Sequence, residues 1–210
     1  MPYRNENIKL VLVGDTNVGK SSIVNRYIHN NYTYTSETTI GASYYSKIFN
    51  FKYNPTTVLI DESGSDTLKL NVNIWDTAGQ EKYNALVSLY YKHANILFYV
   101  FDITEDNFKI NQEIIKSLCD NTEVIVIFNK RDLVNSIKLK NNVSQLISRC
   151  NCEGWKYYIV SAKNGENINE LFNSTISEYV SKNLTLILNK HNENKIKFKL
   201  EDDKSFFNCC

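Results

Sequence analysis

The sequence lacks several features that would point to common classes of protein. Basic and acidic side chains nearly cancel, leaving a formal net charge of +1, so neither nucleic acid nor a strongly cationic partner is expected. No stretch reaches the roughly 18 apolar residues that a membrane-spanning helix needs, and no apolar signal segment follows the N-terminus. The function must therefore be read from individual sites.

The five cysteines follow neither a disulfide nor a metal-binding pattern. Cys119, Cys150 and Cys152 are scattered, and the last two are one residue apart with no neighbouring histidine, unlike common zinc sites. Cys209 and Cys210 end the chain after a polar segment. This usage indicates a reducing cytosol, and 210 residues suffice for one sizeable core.

Hydrophobic periodicity predicts alternating strands and helices. Apolar runs typical of strands buried on both faces of a parallel sheet occur at residues 8–13, 96–101, 124–128 and 157–160. Amphipathic segments typical of helices occur at residues 21–29, 107–118, 134–148 and 168–180. The alternation predicts an α/β sheet with helices on both faces and ligand-binding loops at the carboxyl ends of its strands.

Two segments depart from this alternation. Strands around residues 43–53 and 68–75 have no helix between them, so an antiparallel hairpin is expected, with an extended polar tip over residues 54–67. After Asn183 the hydrophobic periodicity fades, and residues 184–210 are expected to form a flexible tail.

The first of four motifs is a phosphate loop. Residues 14–21, GDTNVGKS, fit the pattern G-x-x-x-x-G-K-[ST] between a predicted strand and a predicted helix. Backbone N–H groups of such a turn converge on phosphate oxygens at a helix N-terminus. Lys20 adds a charge for the β- and γ-phosphates, and the Ser21 hydroxyl is a ligand for Mg2+. Taken alone, this motif leaves nucleoside kinases and ATPases open.

The second motif, WDTAGQE at residues 75–81, surrounds the terminal phosphate. Asp76 can hold Mg2+ through water, Gly79 can turn its N–H onto a γ-phosphate, and Gln80 can orient an attacking water. The plain alternatives are a helix N-cap for Asp76 and a solvated amide for Gln80. In the polar loop before the hairpin, Thr39 can offer a hydroxyl to Mg2+, although the residues alone do not decide this.

The third motif, NKRD at residues 129–132, follows a buried strand. The Asp132 carboxylate can accept both the ring N–H and the exocyclic amino group of guanine, a pair that adenine does not offer. Lys130 is expected along the base plane, and Asn129 is expected to brace the surrounding loops.

The fourth motif, SAK at residues 161–163, follows the last predicted strand. Here the Ala162 N–H is expected to meet the guanine oxygen. Each base-reading motif is weak alone, but the four in this order predict a chain that binds GTP and GDP.

The candidate site residues can be grouped by role. The expected catalytic residues are Lys20, Thr39 and Gln80, and the expected Mg2+ ligands are Ser21, Thr39 and, through water, Asp76. The expected nucleotide-binding residues are Asp15, Thr16, Asn17, Val18, Gly19, Lys20, Ser21, Ser22, Tyr32, Thr39, Gly79, Asn129, Lys130, Asp132, Ser161, Ala162 and Lys163.

With these residues, the chain resembles a Ras-superfamily small GTPase of the Rab family over essentially residues 7–183. The resemblance is carried by residues 74–81, 90–91 and 101–104 and by the double-cysteine ending, while residues 38–44 are most similar to the early-endosomal, Rab-five-like branch. It implies a P-loop NTPase small G-domain over residues 1–183, with a mostly parallel six-stranded sheet, one antiparallel edge strand and a hairpin insertion around residues 54–67.

The resemblance also implies roles for single residues. Thr39 would contact Mg2+ and the γ-phosphate, and Tyr32 would stack on the guanine edge. Tyr44, Trp75 and Tyr90 would form the aromatic triad that effectors bind.

The same resemblance implies partners. An exchange factor would load GTP, effectors would bind the GTP form, and an activating protein would complete hydrolysis around Gln80. Cys209 and Cys210 would be prenylated after delivery by an escort protein, and a dissociation inhibitor would extract the chain from membranes.

The sequence therefore predicts a monomeric, membrane-anchored GTPase switch in vesicle tethering or fusion on the endocytic route. It is expected on the cytoplasmic face of endosomal membranes, with a cytosolic pool and no nucleic-acid partner. Intrinsic turnover should be slow, because neither motif that surrounds the phosphates contains an arginine. The alternatives are a constitutively GTP-bound scaffold, a switch on another endosomal, secretory or Golgi route, and a metabolic kinase, for which no acceptor-binding lid is seen.

Overall fold

The computed structural model describes residues 6–33, 39, 41–53, 58–60, 68–79, 89–105, 108, 110–134, 144 and 147–207. Its strands are β1 (Glu6–Val13), β2 (Ala42–Tyr53), β3 (Val58–Ile60), β4 (Leu68–Thr77), β5 (Ile96–Asp102), β6 (Glu123–Asn129) and β7 (Lys156–Ile159). Its helices are α1 (Lys20–His29), α2 (Gln112–Lys116) and α3 (Ile168–Phe207), with a 3-10 turn at Arg131–Leu133 and helical segments at residues 89–91 and 147–153.

The strands form one sheet in the order β3-β2-β4-β1-β5-β6-β7. β1 pairs in parallel with β4 and β5, and β6 continues the parallel arrangement between β5 and β7. β2 runs antiparallel to β4, with Tyr44 opposite Trp75. The carboxyl ends of the parallel strands therefore meet at one edge of the sheet, where the predicted motifs follow β1, β4, β6 and β7.

Side chains on alternate strand positions fill two separate cores, because successive residues of a strand point to opposite faces. Leu10 and Leu12 pack on the face covered by α1 and α3, where the rings of Tyr27 and Phe172 stack with centroids 3.9 Å apart. Val11 belongs to the core on the other face. The predicted α/β fold class, with packing on both sheet faces, is confirmed.

The sheet has seven strands and not the expected six, which corrects the prediction for the hairpin tip. Residues 58–60 form β3, which pairs antiparallel with residues 51–53 of β2. Three consecutive aliphatic residues suit a strand, although the polar residues around them hide this signal. The antiparallel strand β2 therefore lies second in the sheet, and β3 occupies the edge.

The expected flexible tail from residue 184 is also corrected. Helix α3 passes Asn183 without interruption and ends at Phe207. Ile187 is buried, and Leu184 and Leu188 pack against the same core. These residues lie three and four positions apart, so they continue the buried stripe of α3 by one more turn. Cα atoms of α3 also lie within 8 Å of those of β3.

Two helical predictions differ from the structure in extent. Within its described part, the segment predicted at residues 107–118 contains one short helix, α2, whose N-cap Asn111 accepts a hydrogen bond from the Glu113 N–H. The segment predicted at residues 134–148 is helical at residue 144 and over residues 147–153 within its described part, whereas Val134 is extended. Trp155 belongs to the second core, and its N–H donates to the Cys150 carbonyl at 2.9 Å just after these helical turns.

Candidate nucleotide-binding site

The phosphate loop lies between the end of β1 and the start of α1. Lys20, the first residue of α1, is 6% exposed, and its Nζ donates to the carbonyl oxygens of Gly14 and Asp15, each at 2.8 Å. Burial lowers the pKa of Lys20 to about 8, while the charges of Asp76 and Asp15 oppose this shift. The ammonium group is thus held inside the loop by backbone oxygens.

Asn129 connects the phosphate loop to the base-reading loop. Its Nδ2 donates to the Val18 carbonyl at 2.9 Å, and its Oδ1 accepts from the Ala162 N–H at 3.1 Å. Gly19 has a φ of +96°, and a Cβ there would lie 2.3 Å from Asn129 Nδ2. Only glycine fits this approach, so the structure places Asn129 as the brace between two loops that are far apart in sequence.

Three oxygen-bearing side chains meet beside the phosphate loop. Ser21 Oγ and Thr39 Oγ1 lie 2.9 Å apart, and Asp76 is buried at the end of β4. Asp76 Oδ1 has no hydrogen-bond partner among the described residues. Burial raises the pKa of Asp76 to about 6, against the lowering effects of a hydrogen bond from Ser21 and the charge of Lys20.

This donor set fits Mg2+. Hydroxyl and carboxylate oxygens are hard ligands, and a buried carboxylate oxygen without a hydrogen-bond partner is costly unless a cation or water meets it. Ser21 and Thr39 would be direct ligands, and Asp76 would act through water.

Gly79 lies directly against the phosphate loop. A Cβ at this position would lie 2.5 Å from the Asp15 carbonyl oxygen and 2.6 Å from Lys20 Nζ, so no side chain fits without displacing the loop. Its backbone is therefore close to the predicted γ-phosphate position. Gln80, Cys209 and Cys210 lie outside the described residues.

A cavity of about 230 Å³ opens between the two base-reading motifs and the phosphate loop. Its lining residues are Asn17, Gly19, Ser22, Tyr32, Thr33, Asn129, Lys130, Asp132, Leu133, Ala162 and Lys163. Asp132 Oδ1 accepts a hydrogen bond from Ser161 Oγ at 2.5 Å, and Lys163 Nζ lies 3.8 Å from its Oδ2. The predicted guanine-reading carboxylate is thus oriented by the neighbouring loop.

The other predicted loop residues lie where the motif places them. Asp15, Thr16 and Asn17 are exposed, and Val18 is buried. Asn17 has a φ of 65°, a left-handed conformation that asparagine tolerates better than most residues. The loop backbone therefore turns through Asn17 before α1 begins.

Asp102, at the carboxyl end of β5, supports the base-reading motif in a way that the sequence did not predict. Its Oδ2 lies 2.7 Å from Lys130 Nζ, and its Oδ1 accepts hydrogen bonds from the Thr104 N–H and hydroxyl. Burial would raise the pKa of Asp102, but the hydrogen bonds from Lys130 and Thr104 lower it below its usual range. An acidic residue at the end of a buried parallel strand was the available signal.

Arg26, in the last turn of α1, is a second residue that the sequence did not predict. Its Nε donates to the Ala162 carbonyl at 2.9 Å and its Nη2 donates to the Lys163 carbonyl at 2.6 Å. Its Nη1 donates to the Asn30 carbonyl at 2.9 Å. The sequence signal for this contact was an arginine on the helix that follows the phosphate loop. Its partners Ala162 and Lys163 lie 136 and 137 positions away in the sequence, so no local pattern connects them.

The three aromatic residues implied by the family resemblance are in contact. The rings of Tyr44 and Trp75 have centroids 5.1 Å apart, and those of Trp75 and Tyr90 are 5.4 Å apart. Tyr44 is 52% exposed, and its hydroxyl donates to Asn73 Oδ1 at 2.8 Å. Trp75 therefore lies between two tyrosines on an accessible face of the sheet.

Comparison with known families agrees with this geometry. The protein-family model described as Ras family matches residues 9–181, which include all four motifs. The chain belongs to the Ras family. Members of this family are GTPases, which bind GTP and hydrolyse it to GDP.

The relatives of this Ras-family chain include Rab proteins. Human Ras-related protein Rab-7b is 30% identical, over 100% of this chain and 99% of the relative. GTP-binding protein YPT53 of Saccharomyces cerevisiae is 33% identical, over 82% of this chain and 76% of the relative. Ras-related protein Rab-5A of Dictyostelium discoideum is 35% identical, over 78% and 76%. The chain is thus a Rab-family small GTPase.

Among the helices in the described part of the chain, none combines the length and the apolar character that crossing a bilayer requires.

Proposed function

We propose that this Rab-family GTPase is a Mg2+-dependent switch in endocytic vesicle tethering or fusion. The observation that carries the proposal is the side chain of Asn129, which joins the phosphate loop to the base-reading loop in one continuous site. A phosphate loop alone would suit many nucleotides. Asn129 links this loop to Ala162, and Asp132 lines the same cavity, which favours a guanine nucleotide.

Guanine recognition is assigned to the cavity beside Asn129. Asp132 accepts the ring N–H and the exocyclic amino group, while the hydrogen bond from Ser161 holds its carboxylate in place. The Ala162 N–H, which donates to Asn129 at 3.1 Å, turns to the base oxygen or is shared with it. Tyr32 and Lys130 line the cavity on the base edge and plane.

Phosphate chemistry is assigned to the adjoining loop. Lys20 stabilises charge on the β- and γ-phosphates from its buried position, and the Gly79 N–H meets the γ-phosphate. Ser21 and Thr39 would hold Mg2+, which would supply further neutralisation of the negative charge on the phosphates. Gln80 orients the attacking water, and a partner supplies the remaining transition-state stabilisation, which accounts for slow turnover alone.

Switching follows from the contact between Thr39 and Ser21. Thr39 belongs to the segment that leads into β2, and β2 carries Tyr44 of the aromatic triad. A γ-phosphate that engages Thr39 and Gly79 therefore acts on both segments that flank Tyr44 and Trp75. Family membership implies exchange factors, activating proteins and effectors in general, and we assign the triad as the effector surface.

Membrane attachment is assigned to the final two cysteines. Prenylation of Cys209 and Cys210 would supply two lipid chains, which anchor a protein stably where one does not. An escort protein and a dissociation inhibitor would carry the lipidated chain between the cytosol and the cytoplasmic face of endosomes. The likeness to Rab-5A of Dictyostelium discoideum, together with the similarity of residues 38–44 to the early-endosomal branch, supports this endosomal assignment.

The decisive test is single-turnover GTP hydrolysis by the purified full chain with Mg2+. The wild type is compared with Gln80→Leu, and ATP is the control for base specificity. We expect slow GTP hydrolysis that is lost in Gln80→Leu, with no binding of ATP. Tight binding of ATP would overturn the role of Asp132.

The same measurement separates the switch from the constitutively GTP-bound scaffold. A scaffold would retain GTP without turnover in both the wild type and Gln80→Leu. Hydrolysis that depends on the Gln80 side chain would exclude it, because a scaffold has no use for an oriented water.

A further inference from the structure

We propose that Arg26 is a positioning residue for guanine recognition, which orients the Ala162–Lys163 peptide toward the base oxygen. The inference rests on the proposed function, in which the Ala162 N–H meets that oxygen, and it adds the Lys163 N–H as a second donor to the same oxygen. Arg26 has no place in the sequence motifs and is absent from the residues that line the described cavity. It therefore acts from behind the loop and not by touching the base.

The guanidinium group holds two successive carbonyl groups of the base-reading loop. Nε and Nη2 donate to the Ala162 and Lys163 oxygens at 2.9 and 2.6 Å. Fixing two neighbouring carbonyls fixes the orientation of both peptide planes that follow Ala162. The second plane is also held by its own N–H, that of Asn164, which donates to Ser161 Oγ at 3.3 Å.

The direction of the next N–H follows from peptide geometry. In a trans peptide the C=O and N–H bonds point in opposite directions, and the structure contains no cis peptide among its described residues. Because Arg26 holds the Ala162 carbonyl, the N–H of Lys163 points away from Arg26. Asn129 orients the preceding N–H, that of Ala162, in a separate interaction.

A third hydrogen bond fixes Arg26 itself. Nη1 donates to the carbonyl of Asn30, the C-cap residue of α1, and Asn30 in turn donates its N–H to the Arg26 carbonyl at 3.0 Å. Bonds on both sides of the guanidinium group leave it little rotational freedom. Arginine suits this role better than lysine, because its planar fork presents several donors in a fixed arrangement.

The test measures how Arg26→Gln changes affinity for three nucleoside diphosphates in Mg2+ buffer. GDP has every base contact. 6-Thio-GDP replaces the base oxygen by sulfur, a weak acceptor, and keeps both donors that face Asp132. Inosine diphosphate keeps the oxygen and lacks the exocyclic amino group, so it reports on Asp132 alone.

We expect Arg26→Gln to weaken GDP binding by about tenfold, the effect of about 1.4 kcal/mol, and to weaken 6-thio-GDP binding much less. The GDP preference over 6-thio-GDP should fall toward one, while the preference over inosine diphosphate should stay at its wild-type value. Arg26→Lys, which keeps the charge and loses the planar guanidinium group, should give an intermediate preference for GDP over 6-thio-GDP.

A matched control is Arg149→Gln, since Arg149 also donates to a backbone carbonyl, that of Phe108 at 3.1 Å, away from the cavity. It should leave every ratio unchanged. Equal weakening of all three nucleotides in Arg26→Gln would show a merely structural role and overturn the inference. Should that variant fail to fold, an unchanged ratio in Arg26→Lys would overturn it.

If the proposed role of the loop in reading the base is wrong, the affinity measurements give a different result. If the wild type binds GDP and 6-thio-GDP equally, the loop does not read the base oxygen at all. The role of Arg26 then fails together with the base contact on which it rests. If only the wild type discriminates between the two, both stand.

Discussion

The base side and the phosphate side of the site are built in different ways. On the base side, side chains from separate elements are joined to one another: Asn129 to Val18 and Ala162, Ser161 to Asp132, and Lys130 to Asp102. On the phosphate side, Asp76 is buried with an oxygen that lacks a hydrogen-bond partner among the described residues.

This difference separates two kinds of energetic contribution. Bonds between loops stabilise the folded protein whether or not a nucleotide is bound. A buried carboxylate without a partner costs folding free energy, which a bound cation can offset. The base side is therefore expected to contribute both to folding stability and to nucleotide specificity. The phosphate side is expected to lower folding stability and to favour binding of the cation.

The largest expected effect comes from Asp76→Asn. Losing the carboxylate should accelerate Mg2+-dependent release of GDP by roughly 10- to 100-fold, the usual effect of removing an indirect metal contact. The metal-free protein should become more stable by about 1 kcal/mol, because a buried charge with an unpaired oxygen is removed. Fluorescent-nucleotide dissociation with and without a chelator, and urea unfolding without nucleotide, measure the two quantities.

One outcome of this substitution would contradict the proposed difference between the base side and the phosphate side. A metal-free Asp76→Asn protein that is less stable than the wild type would show that Asp76 supports the fold in the way Asn129 does. Chelation of Mg2+ should make the release rates of the two proteins converge. Rates that still differ tenfold after chelation would argue against an action of Asp76 through the metal.

The next effect in size is expected for Asn129→Ala. The substitution leaves the Val18 carbonyl and the Ala162 N–H without their partner, so the free energy of unfolding should fall by about 2–3 kcal/mol. The loss should appear without nucleotide or Mg2+. Asn183→Ala is the matched control, because its amide also donates to one backbone carbonyl, that of Tyr179 at 2.9 Å, and it should cost much less. A loss seen only with bound nucleotide would contradict a preformed base side.

The four motifs were predictable because each is local. A glycine turn, a lysine and a serine within eight residues suffice to form a phosphate loop, and the strand before it orients the turn. The residues proposed to read the base were assigned from the same kind of local pattern. Arg26 and Asp102 were not, since their value lies in partners that only the folded sheet brings close, 136 positions away for Arg26 and Ala162.

The fold shows the same limit at its edges. The parallel strands can be recognised in the sequence as apolar runs, because they are buried on both faces. β3 is three residues long and is defined by pairing with Phe51–Tyr53, a contact that no local pattern encodes. The continuation of α3 past Asn183 likewise depends on what Leu184 and Ile187 pack against, and composition alone favoured a polar tail.

The smallest effect is expected for Asp102→Asn, which tests the contribution of one ion pair on the base side. The substitution removes the charge that pairs with Lys130 and keeps an oxygen for Thr104, so stability should fall by about 1 kcal/mol at neutral pH. Because the pKa of Asp102 is lowered in the folded protein, its contribution is complete above the usual carboxyl range and is lost as pH falls through the lowered value. Urea unfolding should therefore show the wild type and Asp102→Asn converging in acid. Glu178→Gln, which breaks the exposed pair with Lys156, is the control, and an equal loss there would mean that Asp102 acts as an ordinary surface charge.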